Sequence, residues 1–135
     1  GHDISPEENQ YQAGLNFTIS YNKDFNFIGR EALEKIKEKK IDRKFAMFVL
    51  KNNIEPGKPL LLHDEPIYKD DKIVGRTTSG NHSFNFKKNL AFGYINNDYS
   101  DDELLNGNIS IEIEKIKYPA EIIFKPLKQT DFKNN

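Results

Sequence analysis

The pattern of apolar and polar residues differs on the two sides of residue 42. Before it, Leu15, Phe17 and Ile19 alternate with polar residues, and the stretch FNFIGREALEKIKEKK follows. Alternation at period two predicts a half-buried strand over residues 15–19. In the second stretch the apolar residues recur at helical spacing, with glutamates near the start and lysines near the end. This pattern predicts a helix of about three turns.

Short apolar runs separated by turn residues fill the chain after residue 42. FAMFVLK is too short for a helix, and NNIEPGKP at residues 52–59 has turn chemistry before PLLLHDEPIY continues in extended form. PIYKDDKIVG predicts a hairpin, with Ile67 and Tyr68 facing Ile73 and Val74. LAFGYI, ISIEIEKI and AEIIF predict further strands, and the final DFKNN is expected to fray. This spacing predicts a small all-β barrel or sandwich.

Composition and charge narrow the class of protein. The 135 residues include 10 Phe and 6 Tyr, enough bulky apolar area for a folded chain. A net charge of −1 gives no field to recruit nucleic acid or an anionic membrane. The absence of Cys excludes thiolate chemistry and disulfides. We expect a soluble, intracellular protein, and the opening GHD without Met indicates a piece of a longer chain.

The stretch KIVGRTTSGNHSF, residues 72–84, has two glycines at the spacing of a phosphate-binding loop. Such a loop requires Lys and then Ser or Thr after the second glycine, because the ammonium reaches the phosphates and the hydroxyl holds magnesium. Asn81 and His82 occupy those positions. We therefore interpret the stretch as a strand leading into a polar turn at residues 77–80, with Gly75 and Gly80 accommodating the backbone.

No constellation of residues indicates catalysis or a metal site. The three histidines are scattered, without the spacing that sets two ligands on one face. The residue types of a catalytic triad are present in Ser79, His82 and Asp70 or Asp71, but no nucleophile-elbow sequence surrounds any serine. The adjacent carboxylates at 70–71 and 101–102 are expected on turns, where they point apart. We predict no catalytic residue and no metal ligand.

Aromatic residues recur near two lysines in the middle of the chain. Phe84, Phe86, Phe92 and Tyr94 flank Lys87 and Lys88 and could stack on single-stranded nucleic acid, as in small β-barrels. Both aromatic pairs also have period two, which is typical of residues that pack into a core. The near-zero net charge favours the core interpretation.

Six segments, taken in order, carry a resemblance that covers nearly the whole chain. They are GHD, QAGLNFTI, DFNFIGREALEKIK, PIYKDDKIVGRTTSG, KKNLAFGYI and YPAEIIFKPL. Together they resemble the carboxyl-terminal part of the folate-dependent aminomethyltransferase family. That family includes the glycine-cleavage T-protein and the folate-binding half of dimethylglycine and sarcosine dehydrogenases, which the segments resemble most.

The resemblance implies a fold, a cofactor and partners. It implies a mainly β chain, in which residues 1–41 are the end of a middle lobe, with a strand and a helix, and residues 42–135 are a distorted antiparallel β-barrel. Tetrahydrofolate would bind between this chain and the upstream lobes, and FAD would occupy a separate domain absent from this chain. The family's catalytic Asp lies upstream, so the chain alone should be inactive. The implied compartment is the cytoplasm, or the mitochondrial matrix in a eukaryote.

The resemblance also implies folate-binding residues. Phe17 occupies the position of an aromatic residue that faces folate, although Phe17 could instead pack in a core with Leu15 and Ile19. Thr78 and Ser79 would line the folate opening, or form a plain turn. Arg30 at the helix start could contact the ligand, but beside Glu31 and Glu34 we interpret it as part of a surface ion pair. Gln12 stands where the family usually has Glu.

Two other classes of protein remain as alternatives. One is a non-catalytic regulatory relative whose barrel serves protein contacts, and a glycine-cleavage T-protein is a further catalytic alternative within the family. The other is a free-standing barrel that binds single-stranded nucleic acid, for which strongly salt-dependent binding is expected.

Overall fold

The computed structural model describes residues 1–51, 55–56 and 58–128, which contain a closed antiparallel barrel. Its six strands are β1 (Arg43–Leu50), β2 (Pro66–Lys69), β3 (Lys72–Ser83), β4 (Lys88–Asn96), β5 (Ile109–Ile113) and β6 (Ile116–Ile123). Around the barrel the order is β1-β4-β3-β2-β5-β6, and β6 pairs back with β1. The predicted mainly β fold with an antiparallel barrel is confirmed.

The apolar faces of the strands meet in one core inside the barrel. In β5, Ile109, Ile111 and Ile113 are buried and the polar residues between them are half-buried, as the alternation predicted. Phe48 on β1 and Ile67 on β2 are 0% exposed. Burying a side chain of this size contributes roughly 1.5–3 kcal/mol, so inward-facing residues from every part of the barrel stabilise its closure.

The predicted β2–β3 hairpin is present, with a small shift in register. Tyr68 pairs with Ile73 across the turn at residues 70–71. A bulge between Ile67 and Tyr68 then brings Ile67 opposite Gly75 rather than Val74. The extra residue in the bulge explains why simple pairing outward from the turn misplaces Ile67 by one position.

Strand β3 continues through the segment that was predicted to be a polar turn. Thr77, Thr78, Ser79 and Gly80 all lie within β3, so that prediction is wrong. The register against β4 shifts between Thr77 and Ser79, and a bulge therefore accommodates these polar residues without reversing the chain. The reversal occurs at residues 84–87, between β3 and β4.

Gly75 and Gly80 are sites of close approach inside the barrel wall. A Cβ atom at Gly75 would lie 2.0 Å from the carbonyl oxygen of Tyr94 on the neighbouring strand. A Cβ atom at Gly80 would lie 2.5 Å from Cβ of Leu61. Neither distance is tolerable for a side chain, so both glycines accommodate the backbone, as predicted.

Residues 1–41, all of which the structure describes, contain helices and no strand. A 3₁₀-helix spans Asn16–Thr18, and helix α1 spans Arg30–Glu38. The strand predicted over residues 15–19 is wrong, because the Thr18 hydroxyl donates to the Leu15 carbonyl at 2.7 Å and closes a local turn. Helix α1 is confirmed, as is the ion pair of Arg30, which contacts Glu34 at 3.0 Å.

A second helix, α2 (Asp101–Leu105), was not predicted. Its first turn contains the carboxylates at 101–102, which were wrongly expected on a turn. Ser100 and Glu103 form a capping box, in which the Ser100 hydroxyl accepts from the Glu103 amide and the Glu103 carboxylate accepts from the Ser100 amide. The Ser-x-x-Glu spacing is a sequence signal for this helix start. Leu104 is 0% exposed and joins the core.

The remaining predictions concern the segment before β2, the end of the chain and membrane-spanning helices. Within PLLLHDEPIY the strand begins only at Pro66. The predicted turn at 52–59 lies partly outside the described residues, and the last five residues, which were expected to fray, lie wholly outside them. No helix in the described ranges is long and apolar enough to cross a membrane.

Candidate functional site

Residues 1–14, here called the N-terminal segment, are fastened to the barrel at three points. Asp3 contacts β3 and β4, Glu8 contacts β1, and Gln12 contacts the residue just before β1. The Phe45 amide of β1 also donates to the Gln12 carbonyl at 2.8 Å. The segment and the barrel wall therefore form one surface.

The first fastening is made by both the side chain and the backbone of Asp3. Its Oδ1 accepts hydrogen bonds from the hydroxyls of Thr78 at 2.6 Å and Ser79 at 2.8 Å. Its carbonyl oxygen accepts from the Tyr94 hydroxyl at 3.0 Å. Neighbouring residues of a regular strand point to opposite faces, and the bulge in β3 is what lets two consecutive hydroxyls reach one carboxylate oxygen.

The second fastening is an ion pair beside Tyr94. Arg43 Nη2 donates to Glu8 Oε1 at 2.8 Å, and hydrogen bonds from Ser5, together with Arg43, hold the pKa of Glu8 below its usual value. The Arg43 guanidinium lies 5.1 Å from the centre of the Tyr94 ring. Burial raises the pKa of Tyr94 to about 12, so its phenol is protonated at neutral pH and donates to Asp3.

The third fastening is made by the amide side chain of Gln12. Gln12 is 9% exposed, and its Nε2 donates to Asp42 Oδ1 at 2.7 Å. Its Oε1 accepts from the Asn9 amide at 2.9 Å. The hydrogen bond from Gln12 lowers the pKa of Asp42 below its ordinary value. Gln12 thus donates through its amide nitrogen, which a carboxylate at this position could not do.

A cleft of about 600 Å³ lies between the N-terminal segment and the barrel wall. The His2 and His63 rings are 5.4 Å apart at its edge, and Asp64 contacts both His63 at 3.0 Å and Arg76 at 3.4 Å. The cleft is polar, and its cations largely face carboxylates. Its lining residues are Gly1, His2, Ser5, Glu7, Glu8, Arg43, His63, Asp64, Pro66, Ile73, Gly75, Arg76, Thr77, Thr78, Tyr94 and Asn96.

Phe17 projects away from the barrel. It lies in the 3₁₀-helix and is 79% exposed, so the alternative that Phe17 is a core residue is wrong. The chain turns outward just before it, since Ala13 is buried and Gly14 has a φ of 69° that favours glycine. An aromatic ring left this exposed is available to a ligand or to another part of a longer protein.

The structure brings two of the three predicted folate-binding residues together. Thr78 and Ser79 meet at Asp3, and Thr78 also lines the cleft. Phe17 lies on a different element and is not among the residues that line the cleft. The predicted folate-binding residues therefore lie at two separate places. Thr78 and Ser79 form a pair of hydroxyls on the barrel wall, and Phe17 is an exposed aromatic ring on the N-terminal side.

The remaining candidates have structural partners. His82 Nδ1 contacts Asn89 Oδ1 at 2.6 Å, and the Ser79 hydroxyl donates to Asp3. Ser79 and His82 therefore do not form part of a catalytic triad. Among the described residues no group of three or more His, Cys, Asp or Glu side chains is arranged to hold a metal ion. Of the four aromatic residues, Tyr94 is buried, while Phe84 is 79% exposed and so does not fit the core interpretation.

Sequence patterns gave no indication of the contacts among four residues that organise this surface, although Tyr94 was named among the aromatic candidates. Asp3, Glu8, Arg43 and Tyr94 come from three separate elements, and only the fold brings them together. Asp3 belongs to the GHD segment that carried part of the resemblance, and this was the one signal that could have directed attention to it.

Solved structures share this fold. The crystal structure of glycine cleavage system aminomethyltransferase T from Bartonella henselae matches 95% of this chain with a TM-score of 0.76 and 18% sequence identity. The match covers 34% of that chain. At this identity the likeness shows the fold alone.

Sequence comparison shows the family. The family model described as glycine cleavage T-protein C-terminal barrel domain matches residues 43–128. The mitochondrial dimethylglycine dehydrogenase of Homo sapiens is 33% identical over 132 residues, which are 97% of this chain and 14% of that protein. An aminomethyltransferase of Listeria welshimeri is 36% identical over 126 residues, which are 93% of this chain and 33% of that protein.

The chain belongs to the family of the glycine cleavage T-protein C-terminal barrel domain. The resemblance to the carboxyl-terminal region of the folate-dependent aminomethyltransferases is thereby confirmed. The chain spans only 14% of the dimethylglycine dehydrogenase and 33% of the aminomethyltransferase. These relatives are larger proteins in which such a barrel is one part.

Proposed function

We propose that this chain is the carboxyl-terminal part of a tetrahydrofolate-binding protein, and that the intact protein is a flavin-dependent dimethylglycine or sarcosine dehydrogenase. The observation that carries the proposal is Phe17, an aromatic ring 79% exposed at the position that the resemblance assigns to folate contact. The identity of 33% to dimethylglycine dehydrogenase over 97% of the chain supports this subfamily.

The proposed folate-binding residues offer two kinds of contact. Phe17 offers a ring face on which the pterin or aryl ring of folate can stack. Thr78 and Ser79 already donate their hydroxyl protons to Asp3, so they offer folate only oxygen lone pairs. Such acceptors suit the N–H groups of the pterin ring and repel a carboxylate.

The proposed partners are the upstream lobes of the same polypeptide. Phe17, Phe25 and Ile28 are exposed, and no residue of α1 is buried, so residues 1–41 have an uncovered apolar surface. We assign these residues to the end of a middle lobe and residues 42–135 to the barrel lobe. FAD belongs to a further domain outside this chain, and the proposed compartment is the cytoplasm, or the mitochondrial matrix in a eukaryote.

The test supplies the intact protein with dimethylglycine or sarcosine, with and without tetrahydrofolate. Flavin, when bound in its own domain, would supply the two-electron oxidation of the N-methyl group, and tetrahydrofolate would accept the resulting one-carbon unit with release of the demethylated amine. We expect methylenetetrahydrofolate in proportion to the amine oxidised, and formaldehyde when folate is omitted. Amine oxidation that yields formaldehyde equally under both conditions contradicts folate transfer.

A glycine-cleavage T-protein is the second candidate, because the Listeria aminomethyltransferase is 36% identical over 93% of the chain. A T-protein would convert an aminomethyl-lipoyl partner and tetrahydrofolate into methylenetetrahydrofolate, ammonia and the reduced dihydrolipoyl partner, and would leave N-methyl amines unchanged. Activity in neither assay would indicate the non-catalytic regulatory relative. Upstream sequence separates the same cases. A flavin-binding glycine motif together with the catalytic Asp supports the dehydrogenase, the catalytic Asp alone supports the T-protein, and the absence of both supports the regulatory relative.

A further inference from the structure

One carboxylate oxygen gathers two hydroxyl groups where the N-terminal segment meets the barrel. Asp3 Oδ1 accepts from Thr78 at 2.6 Å and from Ser79 at 2.8 Å, and the Asp3 carbonyl accepts from Tyr94 at 3.0 Å. Tyr94 is buried, and the other three residues are half-buried. Hydrogen bonds to an ionised carboxylate are the stronger kind, and these join residues more than 70 positions apart in sequence.

The same contacts shape the cleft. Gly1, His2 and Ser5 line one side of it and flank Asp3 in sequence, while Thr78 and Tyr94 line the barrel side. The two sides are therefore joined through Asp3. Without the Asp3 carboxylate, the wall formed by the first residues keeps the hydrogen bond from Tyr94 to the Asp3 carbonyl. It loses both hydrogen bonds between the Asp3 side chain and β3.

We propose that Asp3 is a positioning residue that holds the N-terminal segment on the barrel and so sets the width of the cleft, with Thr78 and Ser79 as its donors. The bulge in β3 serves this purpose, since it turns both hydroxyls toward the same oxygen. The role goes beyond folate contact, because it operates whether or not a ligand is bound.

Amide hydrogen exchange on the intact protein tests the proposal without reference to folate. Exchange of residues 4–7, which lie between Asp3 and the Glu8–Arg43 ion pair, reports local release of this end of the segment, and residues 88–96 of β4 report the barrel. Losing two hydrogen bonds of ordinary net strength, as expected for a contact that is only partly buried, shifts such an opening equilibrium by roughly 10–100-fold. Asp3→Ala should therefore raise exchange in the segment by roughly that factor and leave β4 unchanged.

Conservative variants separate positioning from mere loss of structure. Asp3→Asn keeps an oxygen that accepts from both hydroxyls and should retain most of the protection. The double variant Thr78→Val with Ser79→Ala should match Asp3→Ala, and adding Asp3→Ala to it should cause no further increase. Ser20→Ala removes an exposed hydroxyl outside the contact and should leave exchange unchanged.

Folate affinity of the same variants links the contact to the proposed function. If Thr78 and Ser79 act through Asp3, affinity and segment exchange change together in Asp3→Ala, in the Thr78→Val and Ser79→Ala double variant, and in the variant that combines all three changes. If the Thr78→Val and Ser79→Ala double variant loses folate affinity while its segment exchange is unchanged, the proposal is overturned. The two hydroxyls would then contact folate directly. Segment exchange within twofold of wild type in Asp3→Ala would also overturn it. A wild-type protein that binds no folate contradicts the proposed function, while the exchange result still tests Asp3.

Discussion

Replacing Gln12 by Glu puts a second carboxylate against Asp42. In the wild-type chain Gln12 Nε2 donates to Asp42 Oδ1 at 2.7 Å, and Gln12 is only 9% exposed. Gln12→Glu removes this donor and introduces a like charge at nearly the same distance. The change conserves size, so its effect is almost wholly electrostatic.

The size of the effect follows from two contributions. A hydrogen bond to a charged acceptor is worth about 1.5–3 kcal/mol, and the lower end applies because Asp42 is exposed. Two like charges 4 Å apart repel by about 1 kcal/mol in water and by about 4 kcal/mol near a protein surface. We expect Gln12→Glu to lower the free energy of unfolding by roughly 2.5–5.5 kcal/mol at pH 7, the sum of these two contributions.

Acidification should lower the stability of the wild type and raise the stability of Gln12→Glu. In the wild type, Gln12 holds the pKa of Asp42 below 3.8, so this stabilisation is complete above pH 3.8 and is lost as pH falls through the lower, folded pKa. In Gln12→Glu the two carboxylates raise each other's pKa, so protonation on acidification relieves the repulsion. The gap between the proteins should therefore narrow from pH 7 to about pH 5.

Urea denaturation followed by circular dichroism at both pH values measures this gap. The double variant Gln12→Glu with Asp42→Asn reverses donor and acceptor and should recover more than half of the loss at pH 7. Equal stability of wild type and Gln12→Glu at pH 7, or a gap that widens at pH 5, would refute the electrostatic reasoning.

Three further changes test the packing. Gly80→Ala should destabilise the chain by roughly 1–3 kcal/mol, because the new Cβ would lie 2.5 Å from Cβ of Leu61; a denaturation midpoint equal to wild type would contradict this. Phe48→Ala should cost about 3–5 kcal/mol in unfolding free energy, since Phe48 is 0% exposed, and a loss below 1 kcal/mol would argue against the core as described. Ser100→Ala should cost about 1 kcal/mol through the capping box with Glu103, whereas Ser100→Asp should restore most of it.

The barrel was predictable because its signals are local. The alternation in β5 and the paired runs around residues 70–71 each fit within about ten residues, and the structure has strands in both places. Local signals failed where a long-range or very short contact decides the backbone. Pairing with β4 keeps residues 77–80 in a strand although their composition is that of a turn, and one Thr18 hydrogen bond replaces the strand expected at residues 15–19.

The surface at the N-terminal segment was less predictable for the same reason. Period-two alternation placed Phe17 in a core, and only the family resemblance marked it as a candidate for ligand contact; its ring is 79% exposed. The hydroxyls of Thr78 and Ser79 were named, but not their acceptor, because Asp3 is more than 70 residues away in sequence. Such pairings depend on barrel closure, which no local pattern encodes.

The affinity of the intact protein for tetrahydrofolate, measured for Phe17→Ala against Phe84→Ala, tests the central claim most directly. Both side chains are phenylalanines that are 79% exposed, so both changes should leave stability within about 0.5 kcal/mol of wild type. If Phe17 stacks on folate, Phe17→Ala should weaken binding by about tenfold, in keeping with the roughly 0.5–1.5 kcal/mol of an aromatic pair plus its buried area. Phe84→Ala should bind as the wild type does. Equal affinity of both variants and the wild type would contradict the claim that this chain forms part of the folate site.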